Sequence, residues 1–321
     1  MRRLRLVPDN TKIPFFRYRW IAFVWSLIVL VGTVVLISIN GLNMGIDFKG
    51  GVLLEVRTQG PADLAAMRSS LGDLGLGEVT LQTAGGEDQV MIRAEAPEAD
   101  EAAQRAAVEQ IKVALAGVVG AEASYQRAEF VGPRVSQELL VNSIWAVGIS
   151  LLGVLLYLWF RFEWQFSVGV VLGLFHDVLV TAGIFSFFQL GFDLSIVAAL
   201  LTILGYSVND SVVVADRIRE NLRKYKKMPL TELLNLSINE TLSRTILTGV
   251  TTIAVLLALF FLGGEVIQNF TFAMLFGVLI GTYSSIFIAA PVIDFLGIKR
   301  DWSETPAAAK TGGGGATAAR P

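Results

Sequence analysis

Two aspartates stand inside stretches of this chain that are otherwise apolar and offer few groups for chemistry. Asp210 follows the apolar run Leu194–Leu204 in the stretch GYSVNDSVVVADRIREN, before any turn signal occurs. Asp177 follows the chain's one histidine, His176, inside the run Gln165–Leu190. A carboxyl group inside a bilayer-spanning helix is costly and by default marks a functional site, such as a proton path. We therefore interpret Asp210 as a proton-carrying residue, with hydrogen bonding between helices as the alternative.

Further polar residues could act with Asp210. Ser207 lies three positions earlier and shares its helical face, and Asn209 is its immediate neighbour. Arg244 precedes the fifth apolar run, where its guanidinium could stabilise an ionised Asp210. The alternative for Arg244 is an interfacial side chain that reaches toward the lipid headgroups. We interpret His176 and Asp177 first as groups that pack helices or support the site indirectly.

The composition predicts a membrane protein. Of 321 residues, 53% are hydrophobic and 17% are charged, and the mean hydropathy is +0.59. The net charge of −2 gives no indication of a nucleic-acid partner. The absence of cysteine excludes a zinc-thiolate site, and the single histidine argues against a histidine-based metal cluster. The chain contains no phosphate-binding G-x-x-x-x-G-K-[ST] motif, so we expect no direct use of ATP, no cofactor and no enzyme activity.

Charge and hydropathy together predict six spans with both termini on one side. The apolar runs are Trp20–Ile39, Leu139–Phe160, Gln165–Leu190, Leu194–Ala215, Thr245–Leu262 and Val266–Ile293. The segments 1–19, 216–244 and 299–300 are basic, whereas residues 41–138 carry fifteen acidic against eight basic side chains. By the positive-inside rule the basic segments lie in the cytoplasm and residues 41–138 on the other side. Leu230–Leu242 predicts an amphipathic helix on the membrane surface, and Pro291 predicts a kink in the last span.

Residues 41–138 predict one small soluble domain. The pattern indicates strands at Val52–Thr58, Glu78–Thr83, Gln89–Ala94 and Glu122–Phe130, and helices at Ala62–Leu74 and Ala99–Ala116. The order βαββαβ is typical of the ferredoxin-like motif. Its acidic residues are scattered along helices and turns, which indicates a solvated surface and not a metal site.

Four stretches in this order resemble SecF, the family of smaller membrane subunits of the bacterial SecD–SecF protein-export accessory. They are GIDFKGG at 45–51, GLFHDV at 173–178, GYSVNDSVVVADRIREN at 205–221 and ETLSRTILTG at 240–249. The resemblance implies a six-helix bundle, half of a transporter of the resistance-nodulation-division (RND) superfamily. A small ferredoxin-like α+β periplasmic domain follows its first helix.

The resemblance also implies roles for particular residues. Asp210 and Arg244 match proton-path positions, and Asn209, Ser207, His176 and Asp177 could support them. Gly45, Asp47, Phe48, Gly50 and Gly51 match a structural motif of the family. The implied partners are a SecD-like subunit, a SecYEG-type translocon and the translocating polypeptide on the periplasmic side. H⁺ is the expected coupling ion, Na⁺ is the alternative, and the location is the bacterial inner membrane.

The predicted organisation has five parts. These are a basic cytoplasmic N-terminus (1–19), the first span (20–40), the periplasmic domain (41–138), five spans with a basic loop at 216–244 (139–293), and a disordered cytoplasmic tail (294–321). One alternative function is an RND-type transporter of small hydrophobic or lipid substrates. Such exporters usually hold two six-helix halves in one chain, whereas this chain has one half. Another alternative is a scaffold without ion coupling.

Overall fold

The computed structural model describes residues 8, 11–72, 74, 76, 79–83, 86–94, 101–120, 123–264 and 267–298. Much of the predicted basic N-terminus lies outside these residues. Lys299, Arg300 and the tail that the sequence predicts to be disordered lie outside them as well.

The elements alternate between long apolar helices and one short α/β segment. In chain order they are a 3₁₀ turn Phe15–Tyr18, α1 Arg19–Asn40, α2 Ile46–Lys49, β1 Gly51–Arg57, α3 Leu64–Gly72, β2 Val79–Thr83, β3 Gln89–Ala94, α4 Glu101–Val119, β4 Ser124–Val131, α5 Pro133–Arg161, α6 Trp164–Phe188, α7 Leu194–Lys224, α8 Leu230–Leu262, α9 Gln268–Ser284, a π segment Ser285–Ala289 and α10 Ala290–Leu296. Within the described residues, six helical segments are long and apolar enough to cross a membrane. The prediction of six spans is confirmed.

The segment between α1 and α5 forms the predicted ferredoxin-like domain. In the described residues its sheet has the strand order β2-β3-β1-β4, with antiparallel neighbours throughout. On β1, Val52, Leu54 and Val56 are fully buried, because alternate residues of a strand face the same side. Ile111 and Leu115 of α4 belong to the same apolar core, which closes one face of the sheet.

The helix bundle has an inner and an outer layer. Helices α6, α7 and the α9–α10 segment are mostly buried by their neighbours, whereas α1, α5 and α8 expose most of their surface. Small residues allow the inner helices to approach closely. An added methyl group at Gly277 would lie 2.3 Å from Ile203 Cδ1 on α7, and one at Gly169 would lie 2.8 Å from the carbonyl oxygen of Ala289. Close packing therefore fixes α6 and α7 relative to the last span, which α9, the π segment and α10 form.

The prediction of a separate surface helix at Leu230–Leu242 is wrong. One continuous helix, α8, begins at Leu230 and runs through the fifth apolar stretch to Leu262. Its first turns pack beside the end of α7, where Asn221 Nδ2 donates to Ser237 Oγ over 3.0 Å and to Glu240 over 2.6 Å. The loop predicted over 216–244 is correspondingly short, because α7 extends to Lys224. Hydropathy locates where a helix leaves the apolar layer, but these helices continue beyond that point.

The last span departs from α-helical geometry at Ser285–Ala289, where it widens into a π-helix. Pro291 follows two residues later, at the start of α10. A proline has no N–H and its ring crowds the carbonyl four residues earlier, which here is Phe287 within the π segment. The π segment lies on the N-terminal side of the proline, and the kink that the sequence predicts at Pro291 stays a prediction.

Adding a methyl group at Gly277 should separate α7 from α9. We expect Gly277→Ala to lower the free energy of unfolding by about 1–3 kcal/mol, as overpacking of a filled core does. Thermal unfolding of the purified protein in detergent measures this change. Gly205→Ala is the matched control, because an added methyl group there meets nothing within 4 Å. Equal stability of the two variants would contradict the close packing described here.

Candidate functional site in the helix bundle

Asp210 is buried between three helical elements. Its side chain on α7 is only 6% exposed. Thr245 Oγ1 on α8 donates to Asp210 Oδ1 over 2.6 Å, and Ser285 Oγ in the π segment donates to Oδ2 over 2.8 Å. Both carboxyl oxygens therefore have a hydroxyl partner, which offsets much of the cost of burying them.

Arg244 and Asn209 lie at the edge of this site. Arg244 precedes Thr245 on α8, its side chain is exposed, and its charge acts on Asp210 through space. In the part of the chain that the structure describes, Arg244 forms no ion pair within 4.0 Å. Asn209 precedes Asp210 and is also exposed. The geometry thus places Arg244 near Asp210 but with its guanidinium open to a further partner.

Asp177 lies at a second buried position and is 0% exposed. Ser207 Oγ on α7 and Ser284 Oγ on α9 both donate to its Oδ2, over 2.7 and 2.8 Å. His176 Nδ1 lies 3.1 Å from its Oδ1. Although adjacent residues point in different directions, the two side chains bend toward each other and share one site. Among the described residues, Asp177 and Asp210 are the only buried acidic side chains.

The polar residues that the sequence predicts around Asp210 lie near two different carboxyl groups in the structure. Ser207 contacts Asp177 and not Asp210, because three residues along a helix still leave about 60° between side chains. Sequence reasoning missed Thr245, Ser284 and Ser285. The signal that could have found them is a pair of adjacent serines, Ser284 and Ser285, inside an apolar span.

The motif GIDFKGG joins the soluble domain to the loop between α6 and α7. Gly45 N–H donates to the carbonyl oxygen of Phe192 over 2.8 Å, and the rings of Phe48 and Phe192 lie 6.2 Å apart. An added methyl group at Gly45 would lie 3.0 Å from Asp193 Cβ. Gly50 and Gly51 have φ angles of 77° and 116°, which glycine adopts without strain. The glycines of the motif therefore permit both close docking and the turn into β1.

Asp47 ties this motif to the beginning of α7. Its Oδ2 accepts the backbone N–H of Leu194 over 2.9 Å, and an anion at a helix N-terminus is stabilising. Arg93 on β3 lies beside Asp47 and Asp193: burial lowers the pKa of its guanidinium, and the two carboxylates oppose that shift. The soluble domain is thus attached at the point that connects α6, which carries Asp177, with α7, which carries Asp210.

These contacts define what the site can do. Hydroxyl groups can donate to an ionised carboxylate or accept from a protonated carboxyl group. A buried carboxyl group with such partners and a nearby guanidinium is suited to hold and release a proton. The site offers no comparable set of groups for nucleophilic or phosphoryl-transfer chemistry within the described residues.

Comparison with known proteins identifies the family. The profile "Protein export membrane protein SecD/SecF, C-terminal" matches residues 110–299, which is more than half of the chain, and the "SecD/SecF GG Motif" profile matches residues 35–62. The chain belongs to the SecD/SecF family. The GG motif of that family contains the Gly45–Gly51 segment that docks on the α6–α7 loop, and the C-terminal profile covers both buried aspartates.

Relatives in two bacteria extend the match to nearly the whole chain. The chain is 44% identical over 311 residues to the Protein translocase subunit SecF of Rhodobacter capsulatus, covering 93% of each chain. It is 45% identical over 290 residues to the protein of the same name from Rickettsia felis, covering 90% of this chain and 94% of the relative.

A solved structure of the family shares the fold. SecDF from Thermus thermophilus, described as a translocon-associated membrane protein, superimposes with a TM-score of 0.81 at 34% identity. A SecDF structure in a super-membrane-facing form gives a TM-score of 0.64. The alignment covers 91% of this chain but only 39% of the SecDF chain. The six-helix bundle with its small antiparallel sheet is therefore an RND-type membrane architecture.

Removing the Asp47 carboxylate should loosen the start of α7. We expect Asp47→Ala to cost about 0.5–2 kcal/mol locally, which corresponds to roughly 2- to 30-fold faster hydrogen exchange at the Leu194 amide. Exchange followed by mass spectrometry measures this. Asp63→Ala is the control, since Asp63 Oδ1 accepts from Ala65 and Ala66 at the start of α3. Unchanged exchange at Leu194 in Asp47→Ala would show that the motif does not hold α7.

Proposed function

We propose that this chain is the SecF-like subunit of a protein-export accessory complex in the bacterial inner membrane. With a SecD-like partner it uses the proton gradient to drive conformational cycles that assist protein translocation. The translocating polypeptide meets the complex on the periplasmic side, beside a SecYEG-type translocon. Membership of the SecD/SecF family and the name that the curated relatives carry, protein translocase subunit, support the export role.

The observation that carries proton coupling is the setting of Asp210. A purely structural contact between helices needs only an amide or a hydroxyl, as Asn209 or a serine would provide. Here a carboxyl group is enclosed by Thr245 and Ser285, with the Arg244 charge close to it. A proton arriving at Asp210 removes its charge, weakens its attraction to Arg244 and changes which hydrogen bonds α8 and the π segment can make.

One exposed face of α7 supports the proposal of a partner in the membrane. The exposed face of α7 carries small or polar residues at helical spacing: Ala198, Thr202, Gly205 and Asn209. Small residues are favoured where helices pack in a membrane, because they allow backbones to approach. SecDF contains a second portion that this chain does not cover. A SecD-like subunit lying on this face would reach Asn209 and Arg244 and would enclose the guanidinium.

The GG motif connects α7, the helix that carries Asp210, to the soluble domain. Asp47 holds the start of α7, and the Gly45–Phe192 contact holds the loop before it. Because α7 also carries Asp210, a shift of this helix would be passed to the sheet that follows Gly51. A domain moved in this way could act on an emerging polypeptide.

The first test separates proton coupling from a structural role. Asp210→Asn keeps the shape and hydrogen bonding of the side chain but removes its titratable proton. We expect normal assembly with the partner and loss of most gradient-dependent export in inverted membrane vesicles. Full export by Asp210→Asn would show that Asp210 only holds the helices together, as in a scaffold without ion coupling.

Arg244 provides an independent test. An arginine at the interface can be replaced by lysine, whereas an arginine that must stay charged beside a carboxyl group cannot, because lysine loses its proton more readily when desolvated. We expect Arg244→Lys to assemble but to fail in export. The Arg244→Met and Asp210→Asn double variant should be less damaged in assembly than the sum of the single variants. A fully active lysine variant with additive single effects would leave Arg244 as an interfacial charge.

The orientation can be tested by labelling. The docking of Gly45 on Phe192 places the soluble domain at the α6–α7 end of the bundle, and the α7–α8 turn lies at the other end. The natural chain has no cysteine, so Gln104→Cys and Lys226→Cys each introduce one thiol. In intact spheroplasts an impermeant maleimide should label the first variant and not the second. Labelling of both from one side would contradict a periplasmic domain with cytoplasmic termini.

A further inference from the structure

Asp177 is a second carboxyl group that the proposed mechanism does not use. It is more deeply buried than Asp210 and receives hydrogen bonds from two other helices, through Ser207 and Ser284. A residue needed only for helix packing could be an asparagine or a serine, at a lower cost of burial. Its position in the centre of the inner helices α6, α7 and α9 therefore indicates a function beyond helix packing.

Two adjacent serines connect the buried carboxyl groups. Ser284 Oγ donates to Asp177 Oδ2 and Ser285 Oγ donates to Asp210 Oδ2, each over 2.8 Å. Both serines are completely buried. Neighbouring residues on a helix point about 100° apart, so a single stretch of backbone reaches α6 with one side chain and α7 with the next. The hydrogen bonds of both carboxyl groups therefore depend on the position of this one stretch of backbone.

Each serine also has a second acceptor within reach. The carbonyl oxygen of Gly281 lies 3.1 Å from Ser284 Oγ, and that of Thr282 lies 3.0 Å from Ser285 Oγ. A hydroxyl has one proton to donate and can also accept. When the carboxyl group is ionised, the serine donates to it. When the carboxyl group is protonated, it donates to the serine, which then turns its proton to the carbonyl oxygen. Both sites are therefore satisfied in either protonation state.

The backbone that carries the serines is held tightly but has non-standard geometry. Ser284 ends α9 and Ser285 begins the π segment, and π-helical turns are frequent at functional sites. An added methyl group at Gly281 would lie 3.2 Å from Ser207 Oγ and 3.6 Å from Asp177 Oδ2. The side chains of Ser207 and Asp177 therefore lie directly against the backbone of α9 at Gly281.

Other charges near Asp177 are few. On the elements packed against it, the titratable side chains in the interior of the bundle are His176 on α6, Tyr206 and Asp210 on α7, and Tyr283 on α9, within the residues that the structure describes. Charged side chains of these elements also form ion pairs near the helix ends, among them Arg19 with Asp294, Arg161 with Asp216, and Arg219 with Glu163. Tyr283 donates to the carbonyl oxygen of Ala22. His176 is thus the one adjacent group that could balance an ionised Asp177.

We propose that Asp177 is a second proton-binding carboxyl group, coupled to Asp210 through Ser284 and Ser285. A proton binds to a carboxylate oxygen of Asp177 as H⁺ and leaves as H⁺, and no other bond forms or breaks. Its arrival turns Ser284, shifts the start of the π segment and changes the hydrogen bond that Ser285 offers to Asp210. The coupling rests on the proposed role of Asp210, whereas proton binding by Asp177 does not.

Infrared difference spectroscopy of the full chain in complex with its SecD-like partner tests both parts. Spectra recorded between acidic and alkaline pH contain the carbonyl stretch of each carboxyl group that gains a proton. We expect Asp177→Asn to remove one such band and Asp210→Asn to remove another. Ser284 contacts Asp177 but not Asp210. Ser284→Ala should nevertheless shift the titration midpoint of the Asp210 band by about 0.5–1 pH unit, the size expected for one hydrogen bond.

Thr251→Ala is the matched control, because Thr251 is exposed and donates only to carbonyl oxygens of its own helix. It should leave both bands unchanged. If Asp177→Asn removes no band while Asp210→Asn does, Asp177 does not bind a proton and the proposal fails, but the proposed function stands. If Asp210→Asn removes no band, the proposed function fails instead. If Asp177→Asn does not assemble with the partner, Ser284→Ala tests the coupling in its place. A titration midpoint of the Asp210 band that does not change in Ser284→Ala overturns the coupling.

Discussion

A carboxyl group can remain inside a helix bundle only if other groups hydrogen-bond to it, and this constraint organises the membrane part of the protein. Asp177 and Asp210 obtain their partners from hydroxyls on neighbouring helices, mainly Ser207, Thr245 and the pair Ser284 and Ser285. Each hydrogen bond requires the helices to lie at a fixed distance and rotation. In the proposed mechanism these same hydrogen bonds make the geometry of the site sensitive to the binding of a single proton.

The same helices are closely packed, and in the proposed mechanism this packing converts a change at a carboxyl group into a movement of a helix. Gly169 and Gly277 bring the backbones of α6, α7 and the last span together with little free space, so a change at one carboxyl group must be accommodated by a shift of a helix. At the far end of α7, Asp47 and the Gly45–Phe192 contact fasten the soluble domain to this helix. The helix that carries Asp210 is therefore joined directly to the soluble domain.

The sequence predicts those features that depend on local pattern. The six apolar runs predict the spans, and the alternation of β1 contributes to the prediction of the ferredoxin-like domain. Asp210 is recognised as a candidate because it is a charged residue in an apolar stretch. The partners of Asp210 were not predictable in the same way, because hydroxyl residues are common in spans and helix rotation decides what they meet. Ser207 faces Asp177 for this reason. The continuity of α8 was missed, since hydropathy does not mark where a helix begins.

The central claim, that protons moving through this bundle assist export, can be tested most directly by separating the two candidate ions. The full chain, its SecD-like partner and a SecYEG-type translocon are reconstituted in vesicles with both gradients present, and export of a preprotein is followed. Collapse of the proton gradient alone should abolish the stimulation that this chain provides, and collapse of the sodium gradient alone should leave it intact. Stimulation that survives loss of the proton gradient would contradict the account.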